Sequence, residues 1–204
     1  MDQPLLVTKN NTLIVKLSDY AQLGKMRLAS LVVFSAAMAF LTAPGHIDWM
    51  RFLMLIIGGV LTTVSANGFN QVIERDLDKL MDRTMSRPIP DNRMGVQEAL
   101  TYGVVTGLAG VFILSYFLNI YSGILGALSI VLYTLAYTPM KRKSPFAVFI
   151  GAVPGAIPPL LGWVAATNSF SMGGWLLFSI QFLWQFPHFW AIAWVLDEDY
   201  KKAG

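Results

Sequence analysis

The chain has 204 residues, 55% of them hydrophobic and only 13% charged, with no cysteine and a mean hydropathy of +0.55. That balance excludes a soluble globular domain and places the chain in the membrane class, while the lack of cysteine excludes disulfides, thiolate metal sites and a thiol nucleophile. The net charge of +3 is no nucleic-acid footprint, because the basic residues sit in short segments between apolar runs, and no nucleic-acid partner is expected.

Residues 1–22 are polar and mixed, with an amphipathic patch near Leu13–Leu17. They lack the charged start, short apolar core and small-residue cleavage site of a signal peptide, and read as a cytoplasmic lead-in to one membrane domain over 23–204. Lys25 and Arg27 precede a first apolar run, Leu28 to about Ala43, which is short for a span unless it begins near Tyr20; Pro44-Gly45 ends it. The second run, Trp49 to about Gly68, leads straight into a charged stretch. Further runs cover roughly 96–118, 121–138, 146–166 and 174–196, and the last ends in Asp197-Glu198-Asp199-Tyr200.

Each window approaches the roughly 20 apolar residues needed to cross a hydrocarbon core of about 30 Å, and only helices satisfy their own backbone in lipid. The expected fold class is therefore all-α: a polytopic membrane bundle with six transmembrane helices. Pro154, Pro158 and Pro159 in the fifth span predict a broken or kinked segment turned toward protein or a cavity. The pairs Gly103/Gly107 and Gly151/Gly155 predict close helix packing. All of the 15 basic residues except Arg51 fall on one side of this arrangement. The positive-inside rule makes that side cytoplasmic, in a bacterial inner membrane, or matrix-facing in a mitochondrion, so every candidate site residue faces one compartment.

The charged stretch after the second run reads NGFNQVIERDLDKLMDRTMSRPIPDNR, residues 67–93. If the helix continues to about Met81, Asn70, Glu74 and Asp78 recur every fourth residue on one face. They offer oxygen donors of the kind that a hard ion such as Mg²⁺ prefers when it also holds phosphates, and Arg83 and Arg87 follow, able to grip phosphate oxygens. Spacing alone equally allows a solvated connector whose charge pairs stabilise a short helix by a few tenths of a kcal/mol each.

Two more clusters lie on the same side: Lys141 with Arg142, and Asp197/Glu198/Asp199 with Lys202. Carboxylates and cations at the mouth of an apolar bundle suit a ligand with a diphosphate head and a hydrocarbon tail. Ionising an allylic diphosphate develops charge that a metal and cations stabilise, and Phe182, Trp184, Phe186, Phe189, Trp190 and Trp194 could face the carbocation. Aromatics in a membrane helix are more often packing or interface belt. His188, in PHFW, is an ionisable group in a membrane helix and so a functional candidate; His46 lies in an outer loop and is set aside.

The order Asn70-x3-Glu74-x3-Asp78-x4-Arg83-x3-Arg87-Pro88 resembles the first acidic motif of the UbiA-type membrane prenyltransferases, with Glu74 where many of them have Asp. The segments NQVIERDLDKLMDRTMSRPIP, YTPMKRKSPFAVFIGAVPGAIPPLLGW and FLWQFPHFWAIAWVLDEDYKKAG extend the resemblance over residues 17–204 and point to its heme-farnesylating branch. The resemblance implies transfer of a farnesyl group from farnesyl diphosphate to a vinyl group of heme B, with a hydroxyl from water, to give heme O. It implies Mg²⁺ as cofactor, with Asn70, Glu74, Asp78 and Asp199 as catalytic and metal-diphosphate residues, and Arg83, Arg87, Lys141, Arg142, Tyr200 and Lys202 on the substrate. It makes His188 a heme contact. Partners would be farnesyl diphosphate, heme B, the lipid bilayer, and heme A synthase or terminal-oxidase assembly.

Members of that superfamily have about nine membrane helices, so a chain ending just after its sixth is expected to lack the last third of the bundle and to make little or no heme O alone. Rival readings are an aromatic-acceptor polyprenyltransferase of quinone biosynthesis, a transporter, or a non-catalytic assembly factor. A transporter would place charge near the bilayer midplane, whereas here it gathers at one face. The longer Asp- and Gly-containing signature of a CDP-alcohol phosphotransferase is not found.

Overall fold

Each apolar run of the sequence folds as a helix in the computed structural model, which describes residues 9–141, 143–197 and 201. Among the described residues there is no strand. Helix α1 (Lys9–Gly24) meets α2 (Met26–Thr42) at Lys25 with a bend of 51°. Pro44-Gly45 follows, and Asp48 caps α3 (Trp49–Asp78) by accepting the N–H groups of Met50 and Arg51. A structured loop leads to α4 (Val96–Ile113), which runs on through a π-helical turn, Leu114–Leu118. The chain reverses at Asn119 into α5 (Ile120–Val131), whose π-helical extension Leu132–Tyr137 ends in the short α6 (Thr138–Met140). Helices α7 (Ala147–Thr167) and α8 (Met172–Val195) complete the described fold.

Four helical stretches are long and apolar enough to span a membrane, or five if the bent α1–α2 pair is one span; these make the chain an integral membrane protein. The sequence led us to expect six. At 1.5 Å per residue the 24 residues of α8 reach about 36 Å, which is long enough, but Gln181, Gln185, Pro187 and His188 dilute its apolar character. The third to sixth expected spans match α4 to α8 within a few residues.

Helix α3 packs most extensively on α4, and α7 on α8 and α2. The three prolines do not break α7, which is one helix of 21 residues. Its apolar window is 61% buried against 28–39% in the other three spans, so its interrupted hydrogen-bond ladder lies against protein, where such interruptions are tolerated. Pro154 and Pro159 are buried there. The glycine pairs do mark close approach: a Cβ on Gly107 would lie 2.6 Å from Ser65 Oγ, and one on Gly155 2.7 Å from the Gln185 side chain.

Burial is divided between two apolar clusters. One, built on Phe40, Leu55, Leu114, Leu125, Ile157, Leu160 and Val164, fills the middle of the bundle. The other joins Leu23, Val72, Ile89, Met94 and Ala99 beneath the loop that follows α3, and it holds the charged end of the molecule in place.

Candidate functional site

The last turns of α3 carry a polar stripe in which Asn67, Asn70, Gln71, Glu74 and Asp78 are all buried. Asn70, Glu74 and Asp78 are only 1%, 6% and 0% exposed. Carboxylates are rarely buried unless paired, and each residue of the four-residue repeat takes a cation from a different segment. Asn70 Oδ1 accepts from Lys25 Nζ at 3.1 Å, and its Nδ2 donates to Thr138 Oγ1 at 3.2 Å. Glu74 pairs with Lys141, just beyond α6. Asp78 Oδ2 accepts from Arg87 Nη1 at 2.7 Å. The α1–α2 joint, the loop after α3 and the α6–α7 connection thus converge on one helix face.

That loop is not a solvated connector. Met81, Thr84, Pro88, Ile89, Pro90 and Met94 are buried in it, and Thr84 Oγ1 donates to the Asp78 carbonyl at 2.9 Å. Successive turns close it through Arg87 N–H to Thr84 O and Asp91 N–H to Arg87 O, both 3.0 Å. Asn92 turns the chain with φ 57°, a left-handed conformation that Asn tolerates better than most residues. Arg93 then ties the loop to α1, binding Asp19 and donating to Gln22 Oε1 at 3.1 Å and to Ser86 O at 2.7 Å. A polar cleft of about 480 Å³, lined by Gln22, Ser86, Arg87, Asp91 and Arg93, opens beside this tie.

Among the described residues, three oxygens of the stripe accept no hydrogen bond: Gln71 Oε1, Glu74 Oε1, which has only its ion pair with Lys141, and Asp78 Oδ1. Asp78 Oδ1 is buried with no hydrogen bond, and leaving such a group unsatisfied costs on the order of 1–3 kcal/mol, more for a charged one. A cation there would satisfy it. Two carboxylates and a carboxamide oxygen form a hard, all-oxygen donor set of the kind Mg²⁺ takes together with phosphate ligands. Among the described residues no group of three His, Cys, Asp or Glu side chains is gathered to hold an ion unaided. The donor types present, carboxylate and carboxamide oxygens, are those of a metal that shares its coordination with a bound anion.

The structure brings Asn70, Glu74, Asp78, Arg87 and Lys141 together. Arg83 lies exposed in the loop. Arg142, Glu198, Asp199, Tyr200 and Lys202 lie outside the described residues. Asp197 is exposed after α8 and pairs with Lys201 at 2.5 Å. His188 is on the exposed face of α8, its ring centroid 6.0 Å from that of Phe189.

The aromatics of α8 separate into two sets. Trp184, Trp190 and Trp194 are 62%, 69% and 87% exposed, as residues of an outer surface are. Phe182 meets Phe149 of α7 edge to face and Phe186 meets it at a tilt, and the Phe189 ring lies 5.6 Å from Tyr137. Tyr137 immediately precedes Thr138, the hydrogen-bond partner of Asn70, so Phe189 belongs to the layer nearest the charged residues. Sequence reasoning missed Lys25, counted only for its charge, and Thr138. The single sequence signal for Lys25 was its position after Gly24, at the start of an apolar run.

Residues 30–204 match the model of the UbiA prenyltransferase family. The chain is 52% identical over 186 residues to the protoheme IX farnesyltransferase of Cytophaga hutchinsonii, an alignment covering 91% of this chain and 65% of that relative. It thus spans a little under two thirds of that relative's length. Among solved structures, a digeranylgeranylglyceryl phosphate synthase superposes with a TM-score of 0.78 at 20% identity, covering 92% of this chain and 66% of that one. A UbiA homologue from Archaeoglobus fulgidus bound to DMAPP and Mg²⁺ gives 0.74 at 14% identity, covering 91% and 66%. At those identities the two structures establish the fold alone.

Proposed function

The chain belongs to the UbiA prenyltransferase family, and from that premise we propose that it farnesylates heme B, taking the prenyl group from farnesyl diphosphate and yielding heme O. The observation that carries the proposal is the buried stripe Asn70, Glu74, Asp78, each member met by a cation from a different segment. That arrangement suits a diphosphate held with a divalent metal, and the Archaeoglobus homologue's binding of a prenyl diphosphate and Mg²⁺ supports it.

In this reading Asn70, Glu74 and Asp78 would hold Mg²⁺, and Asp199, which follows α8 in the sequence, would be a further ligand. Bound there, the metal would draw off the negative charge that develops on the leaving diphosphate. Arg87 and Lys141, with Arg83, Arg142 and Lys202, bind phosphate oxygens as the allylic C1–O bond breaks and its electron pair departs with the diphosphate; Tyr200 adds a hydroxyl. Phe182, Phe186 and Phe189 offer their ring faces to the farnesyl cation, at about 0.5–2 kcal/mol each. The vinyl π electrons of heme B then form the new C–C bond, and water adds to the resulting carbon cation and loses a proton, leaving the hydroxyl. His188 contacts the heme. The site faces the cytoplasm of a bacterial inner membrane, as the distribution of basic residues supports, and the product passes to heme A synthase or to terminal-oxidase assembly.

The test is binding of farnesyl diphosphate to the purified chain in nanodiscs, with and without Mg²⁺. Metal-dependent binding that Asp78→Asn abolishes is expected; binding indifferent to Mg²⁺ would overturn the reading. For the acceptor, heme B is expected to show a Soret shift on binding, whereas 4-hydroxybenzoate does not compete with it. Competition by 4-hydroxybenzoate would favour an aromatic acceptor.

A further inference from the structure

Lys25 stands at the break between α1 and α2 in the left-handed conformation, φ 49° and ψ 56°. A lysine adopts it only against a steric penalty, and strained residues held in place by their surroundings gather at functional sites. The surroundings here are specific. Asn67 Nδ2 donates to the carbonyl of Gly24 at 2.9 Å, and Gln71 Nε2 to that of Leu23 at 2.9 Å. Two buried carboxamides of α3 thus clasp the backbone on the N-terminal side of the break. The result is to lay the Lys25 side chain along α3, with Nζ 3.1 Å from Asn70 Oδ1.

That oxygen is the one Asn70 would offer a metal, so Lys25 Nζ lies where a metal ligand and its cation would meet. Lys25 also lies within electrostatic reach of Glu74 and Asp78 and of the like charges Arg87 and Lys141. Three cations thus crowd around two carboxylates. Gathering like charges is unfavourable, and it is relieved when an anion enters among them. On its other side the joint opens on a groove of about 540 Å³ whose lining includes Gln22, Lys25, Met26, Arg27, Leu28 and Leu31.

We propose that Lys25 is a diphosphate-binding residue of this site, whose hydrogen bond to Asn70 Oδ1 passes to a phosphate oxygen when metal and diphosphate enter together. The proposal rests on the function proposed above. It makes the α1–α2 break the device that delivers a third cationic arm, one that the motif after α3 does not contain.

The experiment measures binding of a farnesyl thiodiphosphate analogue with Mg²⁺ to the full chain in nanodiscs, for the unaltered protein and for Lys25→Gly, Lys25→Arg and Asp78→Asn. Glycine suits the left-handed conformation, so Lys25→Gly is expected to keep or raise the thermal midpoint while weakening analogue binding at least tenfold. Lys25→Arg retains most of the affinity, and farnesol, which has no diphosphate, binds all variants alike. A lysine with a purely structural role would leave Lys25→Gly with unaltered affinity, and that result overturns the proposal. If Asp78→Asn loses binding but Lys25→Gly does not, the role of Lys25 falls while the function stands. If the unaltered chain binds no analogue, both fall.

Discussion

Arg87 Nη1 lies 2.7 Å from Asp78 Oδ2, and the two side chains are only 17% and 1% exposed. Removing one partner of a buried pair strands the other charge, at about 3–5 kcal/mol. Because Asp78 Oδ1 already lacks a partner, Arg87→Ala would leave the whole carboxylate unsatisfied. A loss of about 3 kcal/mol is expected, visible as a lower thermal midpoint in detergent. Mg²⁺ should restore part of it, by neutralising the stranded carboxylate, and a variant as stable as the parent without metal would contradict the pairing described.

Metal and diphosphate together should stabilise the unaltered chain. A ligand at about 100 times its Kd adds about 2.7 kcal/mol to the folded state. The proposed coordination is shared between Asp78, Glu74, Asn70 and phosphate oxygens, so pyrophosphate alone and Mg²⁺ alone are each expected to do much less than the two combined. Chelating the metal should reverse the gain. Thermal scans over the four combinations measure it, and equal shifts from pyrophosphate with and without Mg²⁺ would count against a shared site.

The loop after α3 shows which features of this molecule can be read from a linear sequence. The four-residue spacing of Asn70, Glu74 and Asp78 put them on one face because α3 continues to Asp78, and apolar runs bounded by Pro44-Gly45 and by polar residues marked most of the later helix ends. Spacing could not say whether residues 79–95 are packed or solvated. That depends on Ile89 and Met94 meeting Leu23 and Val72, which are distant in sequence. The left-handed Lys25 was invisible for the same reason: its conformation is enforced by Asn67 and Gln71, more than 40 positions away. The prolines of α7 pointed to a segment turned toward protein, which it is, but they do not interrupt the helix, because enclosure by neighbouring helices, not local propensity, decides whether a helix survives them.

Among the described residues two ion pairs join α1 to the charged end, and they should differ in strength. Lys16 donates to Glu98 Oε1 at 2.9 Å, but the pair is 42% and 33% exposed, so Lys16→Ala is expected to cost under about 1 kcal/mol. Arg93 binds Asp19, whose side chain is 2% exposed, and also reaches Gln22 and Ser86. Arg93→Ala strands that carboxylate and frees the loop, at about 3 kcal/mol. Hydrogen exchange over residues 79–95 should quicken in Arg93→Ala and stay unchanged in Lys16→Ala; similar exchange in the two variants would show that the ties do not differ.

Helix α2 approaches α7 so closely at Gly162 that a Cβ there would overlap the carbonyl oxygen of Ala36. Backbone cannot rotate aside as a long side chain can, and interiors packed this tightly pass the strain on to their neighbours. Gly162→Ala is therefore expected to force α2 away from α7 and lower stability by about 1–3 kcal/mol, as overpacking does. Gly95→Ala is the control, since nothing lies within 4 Å of its added methyl and the backbone there is extended, φ −74° and ψ 150°; as the N-cap of α4 it should cost no more than about 1 kcal/mol, without moving a helix. Because α2 begins at Lys25, displacement at Gly162 should also weaken Mg²⁺-dependent pyrophosphate binding although Gly162 is remote from the charged face, whereas Gly95→Ala should not. Measuring stability and binding on both variants separates packing at that crossing from the chemistry at the end of the same helix.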